Sequence, residues 1–123
     1  MQAFFSQFYN PMAPMEKAQY PEFKFDMDFW GYTFDAHEVK TDDGFILTTF
    51  HITGKPGEQI STDQSRAPVL VMHGQGCDAE TWTYVDPDNL PVKEDTPLPL
   101  PLHLFDDGFD VWMASNRGTK YCQ

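Results

Sequence analysis

The feature that most constrains this chain is Pro68-Val69-Leu70-Val71-Met72, an apolar run behind a proline, broken off by His73-Gly74-Gln75-Gly76. A run this short and without alternation reads as a strand buried on both faces, the kind found in parallel sheets. A parallel strand needs a crossover to reach its neighbour, and the sequence after it supplies one. Asp78 can cap a short helix through Trp82. Pro87, Pro91, Pro97, Pro99 and Pro101 rule out one long helix over Asp86–Pro101, but Pro99 or Pro101 can open a helix, because proline is tolerated in a first turn. Leu102, Leu104 and Phe105 would form its buried face, and Gly108 after Asp107 would end it. Phe109–Met113 is then the next buried strand, with Asn116-Arg117-Gly118 as the turn after it. Strand, helix and strand make one right-handed βαβ unit, so the fold class is α/β.

A β-hairpin precedes this unit. Asp35–Lys40 alternates weakly around His37 and Val39. Thr41-Asp42-Asp43-Gly44 is a turn sequence with glycine where φ > 0 is needed, and Phe45–Ile52 is rich in β-formers. The polar stretch Gly54–Ala67 reads as a loop. Residues 1–28 read as an N-terminal arm or short helix. Phe4, Phe5, Phe8 and Tyr9 stand at near-helical spacing, and Pro11, Pro14 and Pro21 punctuate the rest of that segment. Phe29-Trp30 before Gly31-Tyr32 anchors a turn entering the sheet. The main region is therefore 29–123.

Charge narrows the function. The net charge is −11, which argues against binding a nucleic-acid backbone or docking electrostatically on an anionic membrane. It leaves hydrophobic contact with neutral lipid open. No window of about 20 apolar residues is present, and Met1–Tyr20 lacks the basic and apolar regions of a secretory signal. Cys77 and Cys122 have no metal spacing and read as free thiols. No cofactor or metal is called for. His37 and His51 lie in the hairpin and His103 on a surface helix, all as structural residues. Asp106, Asp107 and Asp110 read as capping and solvating groups, and Arg117 as a loop tie through carboxylates.

The chemistry-bearing segment is His73-Gly74-Gln75-Gly76, at the C-terminal end of a buried strand, where open α/β sheets bind ligands. Glycines let the backbone approach a substrate closely and aim its N–H groups outward. Ester cleavage needs such donors where negative charge develops on the carbonyl oxygen. A tight strand-to-helix turn without a ligand accounts for the same four residues equally well.

The wider pattern resembles the acid lipase family, which includes gastric and lysosomal lipases and steryl ester hydrolases. The matching pieces, in the family's order, are W-G-Y at Trp30–Tyr32, H-E-V-K-T-D-D-G-F-I-L at His37–Leu47 and P-V-L-V-M-H-G at Pro68–Gly74. Trp82, D-G-F-D-V-W at Asp107–Trp112 and N-R-G-T-K-Y at Asn116–Tyr121 come next. The resemblance implies the N-terminal part of an α/β-hydrolase fold with an incomplete sheet, and a serine-dependent lipid-ester hydrolase. It implies that the backbone N–H of Gln75 lines the oxyanion hole, with His73, Gly74 and Gly76 shaping that loop. Where the family carries two apolar residues after H-G, this chain has Gln75-Gly76; a backbone donor survives a side-chain change.

The resemblance does not bring a catalytic triad with it. No G-x-S-x-G occurs among the 123 residues, and Ser6, Ser61, Ser65 and Ser115 sit in no nucleophile elbow. This leaves two expectations. One is a lipase portion whose nucleophile, acid and base lie in further sequence, acting on neutral lipid esters such as triacylglycerols or steryl esters. The other is a stand-alone, non-catalytic lipid-binding or protein-interaction module. Either needs a missing C-terminal half or a partner protein to cover the sheet. The compartment is not specified by the sequence.

Overall fold

Pro21 begins a helix rather than interrupting one. The computed structural model describes residues 20–59, 65–89 and 96–123, and its first element is α1, Pro21–Trp30, with proline in the first turn. There the missing N–H costs nothing and the fixed φ suits the helix. Gly31 ends it at φ 78°, with its N–H on Asp28 O and the Tyr32 N–H on Met27 O. These two bonds make a Schellman motif. The boundary expected after residue 28 thus falls inside a helix, and Phe23 and Met27, one turn apart, are fully buried in the main core. Phe4, Phe5, Phe8 and Tyr9 lie outside the described residues.

Strands β1 (Thr33–Lys40) and β2 (Ile46–Lys55) form the expected antiparallel hairpin, with Gly44 at φ 99° in its turn. A two-residue strand β3 (Glu58–Gln59) folds back on the end of β2. Strand β4 (Pro68–Met72) comes next, then a 3₁₀ turn at Ala79–Trp82 whose first N–H groups are capped by Asp78, Oδ1 accepting from the Glu80 N–H at 2.9 Å. Helix α2 (Leu100–Asp106) closes on Gly108 with the same pair of bonds as α1, Gly108 N–H to Phe105 O and Phe109 N–H to Leu104 O. It delivers the chain to β5 (Asp110–Ala114).

The sheet order is β1-β2-β5-β4, with β4 and β5 parallel and β5 antiparallel to β2. Beyond β5 the chain turns and runs along the start of β2, where Ile46 and Gln123 exchange backbone bonds of 2.8 and 2.9 Å.

One face of this sheet holds the core. Ala36, Phe50, Met113 and Val71 form a row across all four strands and are buried. α1 and α2 lie over it through Phe23, Met27, Leu102 and Phe105. Phe23 stacks on Phe50 at 3.9 Å between ring centroids, and Phe34, Tyr20 and Tyr121 meet Phe50 edge-on. Edge-to-face packing of this kind adds about 0.5–1.5 kcal/mol per pair beyond burial.

The opposite face departs from the expectation for the two apolar runs. β4 is buried on one side only: Leu70 is 60% and Met72 41% exposed. Consecutive apolar residues gave the strand two apolar faces, but among the described residues only one has a covering layer. Trp112 of β5 lies on the same open face, opposite Leu70. No described helix is long and apolar enough to cross a membrane.

Candidate functional site

The parallel pairing of β4 and β5 brings the loops after both strands together at one end of the sheet. Between them lies an open groove of about 600 Å³, lined by residues 73–78 and 116–120. All four residues of the expected loop, His73, Gly74, Gln75 and Gly76, face this groove.

The loop is a tight turn. The Cys77 N–H bonds Gly74 O at 3.3 Å, and Gly76 takes φ 77° at the third position. A type II turn asks for glycine there, since a side chain would strain it. The turn's own bond uses the Cys77 N–H. Among the described residues, the Gln75 N–H has no protein acceptor.

His73 holds the turn in place. Its Nε2 lies 2.9 Å from the Asn116 backbone nitrogen and its Nδ1 2.9 Å from Gly74 O. On the other side of the groove, Gly118 at φ 83° and the Thr119 hydroxyl on Asn116 O shape the loop after β5. Arg117 forks onto Asp43, with 2.9 and 2.7 Å contacts, and its guanidinium covers the Phe45 ring. It is the loop tie expected of it, joining the groove rim to the hairpin turn. Asp43 is held below the usual carboxylate range by the Thr41 hydroxyl first, with Arg117 adding to it.

At the groove's far end Lys120 Nζ bridges Glu22 Oε2 at 2.6 Å and Glu80 Oε2 at 2.5 Å. Burial works against its charge, but the two carboxylates outweigh that and hold its pKa above the ordinary lysine value. Close by, Asp26 is only 4% exposed, its Oδ1 accepting from the Val85 N–H. Burial pushes this carboxyl up to about 7. Neither group carried a sequence signal, because Val85 stands 59 residues from Asp26 and Glu22 stands 98 residues from Lys120.

Ser115, at the strand end nearest the groove, is 1% exposed and its hydroxyl is buried without a partner. A buried hydroxyl cannot reach a substrate carbonyl. Ser65 is exposed, away from the groove; Ser6 and Ser61 lie outside the described residues. Cys77 and Cys122 are free thiols.

Away from the groove, Asp110 is more than a solvating group. His51 Nε2 meets Asp110 Oδ1 at 2.6 Å, Trp112 Nε1 donates to Asp110 Oδ2 at 3.0 Å, and the His51 ring stacks on Trp112. Burial raises the Asp110 carboxyl, but these donors outweigh it and hold it below its ordinary value. His37 sits beside the pair, and burial, with His51 nearby, lowers its pKa.

The sequence is similar to that of known proteins. The family model of the partial alpha/beta-hydrolase lipase region matches residues 24–85, half of the chain. Triacylglycerol lipase 2 of Arabidopsis thaliana is 38% identical over 93 residues, covering 75% of this chain and 20% of that protein. Lipase member K of Mus musculus is 34% identical over 95 residues, covering 77% and 21%. Gastric triacylglycerol lipase of Bos taurus is 31% identical over 115 residues, covering 93% and 25%. The chain thus spans a fifth to a quarter of the length of these relatives.

Proposed function

The chain belongs to the partial α/β-hydrolase lipase region family, as an N-terminal region of the acid lipase type, and from that premise we propose that it supplies the oxyanion loop of a lipid-ester hydrolase. The observation that carries the proposal is the Gln75 N–H, without an acceptor among the described residues, on a tight turn that lines a groove at the C-terminal end of a parallel strand. In acyl transfer this donor would bond the carbonyl oxygen as it gains negative charge, and it would bond it more strongly in the tetrahedral intermediate than in the substrate. A second donor would come from the residue after a nucleophilic serine. That serine, the histidine that takes its proton and the carboxylate that orients the histidine are assigned to polypeptide beyond these residues. The substrates proposed are neutral lipid esters, triacylglycerols or steryl esters; two of the relatives are named as triacylglycerol lipases.

The test is a chimera in which this chain replaces the matching region of the bovine gastric lipase, assayed on p-nitrophenyl butyrate and on a triglyceride emulsion. Gln75→Pro removes the N–H while suiting the second position of a type II turn. It should lower kcat by about 10²–10³-fold, whereas Gln75→Ala, which keeps the N–H, should lose far less. Undiminished turnover in the Gln75→Pro chimera would refute the oxyanion role. A chimera that melts cooperatively and binds lipid but never hydrolyses ester would favour a binding module instead.

A further inference from the structure

We propose that the cavity between α1 and residues 80–87 is a binding site for a hydrophobic primary amine, whose ammonium bonds the Asp26 carboxylate while its apolar body lies against Phe25 and Tyr84. The cavity is open and holds about 500 Å³, inside the range of about 300–1,000 Å³ usual for small-molecule sites. It shares Lys120 with the groove between the two loops and no other residue. Its walls are apolar: Phe25, Tyr84, Val85 and Pro87 line it, and Phe25 and Tyr84 remain exposed. A hydrocarbon body would take those two rings out of water, and an aromatic face also attracts a cation.

The polar groups of the lining choose the sign of the ligand. Glu22, Asp26 and Glu80 bring carboxyl groups, whereas Lys120 brings one ammonium that Glu22 and Glu80 already hold. An anion would meet carboxylates; a cation complements them. Asp26 is the anchor. It lies on the buried side of α1 with Phe23 and Met27, where a carboxyl is costly unless its oxygens are bonded. Oδ1 accepts from the Val85 N–H at 3.1 Å, and among the described residues no donor reaches Oδ2. Burial keeps the acid form up to about 7 against the Val85 bond; Glu80 on the 3₁₀ turn and Glu22 on α1 add to burial, and Lys120 from the loop after β5 opposes it. An asparagine would take the same Val85 bond without the cost of a buried charge. A carboxyl placed in a cavity where it weakens the fold points to a ligand that repays it. An ammonium, with three N–H donors, supplies both the missing bond to Oδ2 and the missing charge.

The probe is 2-phenylethylammonium, titrated into the ¹⁵N-labelled 123-residue chain and followed by ¹H–¹⁵N correlation spectra and calorimetry. Shifts should concentrate at residues 21–26 and 80–87. The neutral 2-phenylethanol, of the same shape, should bind about 10- to 100-fold more weakly, the worth of a hydrogen bond between charged groups. Phenylacetate should bind more weakly still. The ammonium stays charged between pH 6 and 8 while Asp26 passes from acid to carboxylate, so amine affinity should rise about tenfold over that range. At pH 6 binding should also release a proton, seen as heat that depends on the buffer. Asp26→Asn keeps the Val85 bond and should bind amine and alcohol alike at both pH values. Tyr84→Ala, at an exposed position outside the core, should weaken the amine by about 2- to 5-fold. No shifts at millimolar amine, shifts confined to another surface, equal binding of amine and alcohol by the parent, or full amine affinity in Asp26→Asn would each overturn the site.

Discussion

The two faces of the sheet are built from the same strands and differ in what lies on them. On one face the row Ala36, Phe50, Met113 and Val71 is sealed beneath α1 and α2. On the other, the row Asp35, His51, Trp112 and Leu70 holds a histidine bonded to Asp110, an indole stacked on that histidine and an exposed leucine. The sealed face is organised by aromatic packing, which gains from every ångström of burial. The open face is organised by hydrogen bonds to a partly solvated carboxylate, which gain less because water competes. The contrast teaches that a strand's alternation specifies two surfaces, whereas its neighbours in three dimensions decide which of them becomes a core.

Substitutions can break or sharpen this contrast. The largest effect is expected at Phe50, which touches Phe23, Phe34, Tyr20 and Tyr121. Phe50→Ala should destabilise the chain by about 3–5 kcal/mol in urea unfolding; a loss below that of Trp112→Ala would mean that the other face is the core.

Next comes Asp26, within the covering layer. Burial favours its protonated form in the fold, so the stability it contributes is fully present near the unfolded carboxylate pKa and below. That contribution is lost as pH rises through about 7. Asp26→Asn keeps an acceptor for the Val85 N–H and cannot ionise. It should be more stable than the parent by about 2 kcal/mol at pH 8, with the difference vanishing near pH 4. Parallel melting curves at both pH values would refute this.

Trp112→Ala on the open face should cost about 1–2 kcal/mol, from the lost His51 stack and the lost donor to Asp110. The smallest effect belongs to Leu70→Ser, within about 0.5 kcal/mol of the parent if the face is open in the isolated chain. A loss of several kcal/mol there would reveal a covering surface in solution.

Much of this is legible in the sequence, for reasons that can be traced. The hairpin is signalled by Asp-Asp-Gly between two β-rich runs. The α2 boundaries are signalled by proline inside its start and glycine just past its end. α1 has the same signature, Pro21 and Gly31, yet Pro21 reads as a break because Pro11 and Pro14 precede it in an aromatic stretch without clear period. The exposure of β4 is hidden because a run of apolar side chains does not say what covers the second face. In the groove, glycine spacing points to the 73–76 turn. The Asn116 partner of His73 lies 43 residues on and depends on the parallel register of β4 and β5, which no local pattern encodes. Asp110 reads as a solvating group for the same reason: its partner His51 meets it only through the pairing of β2 with β5.

The order of strands has a consequence for how the chain comes to be folded. β5, late in sequence, is the strand that sits between β2 and β4. As the chain emerges from the ribosome, the hairpin and β4 are made first and have nothing to join them. Two strand edges then face a slot about 10 Å wide, and each can pair with another nascent chain until the slot is filled. The D-G-F-D-V-W segment is thus a keystone in time as well as in space: β2 and β4 are joined only when β5, the last of these described strands to be made, arrives, and conditions that delay it favour aggregation over folding.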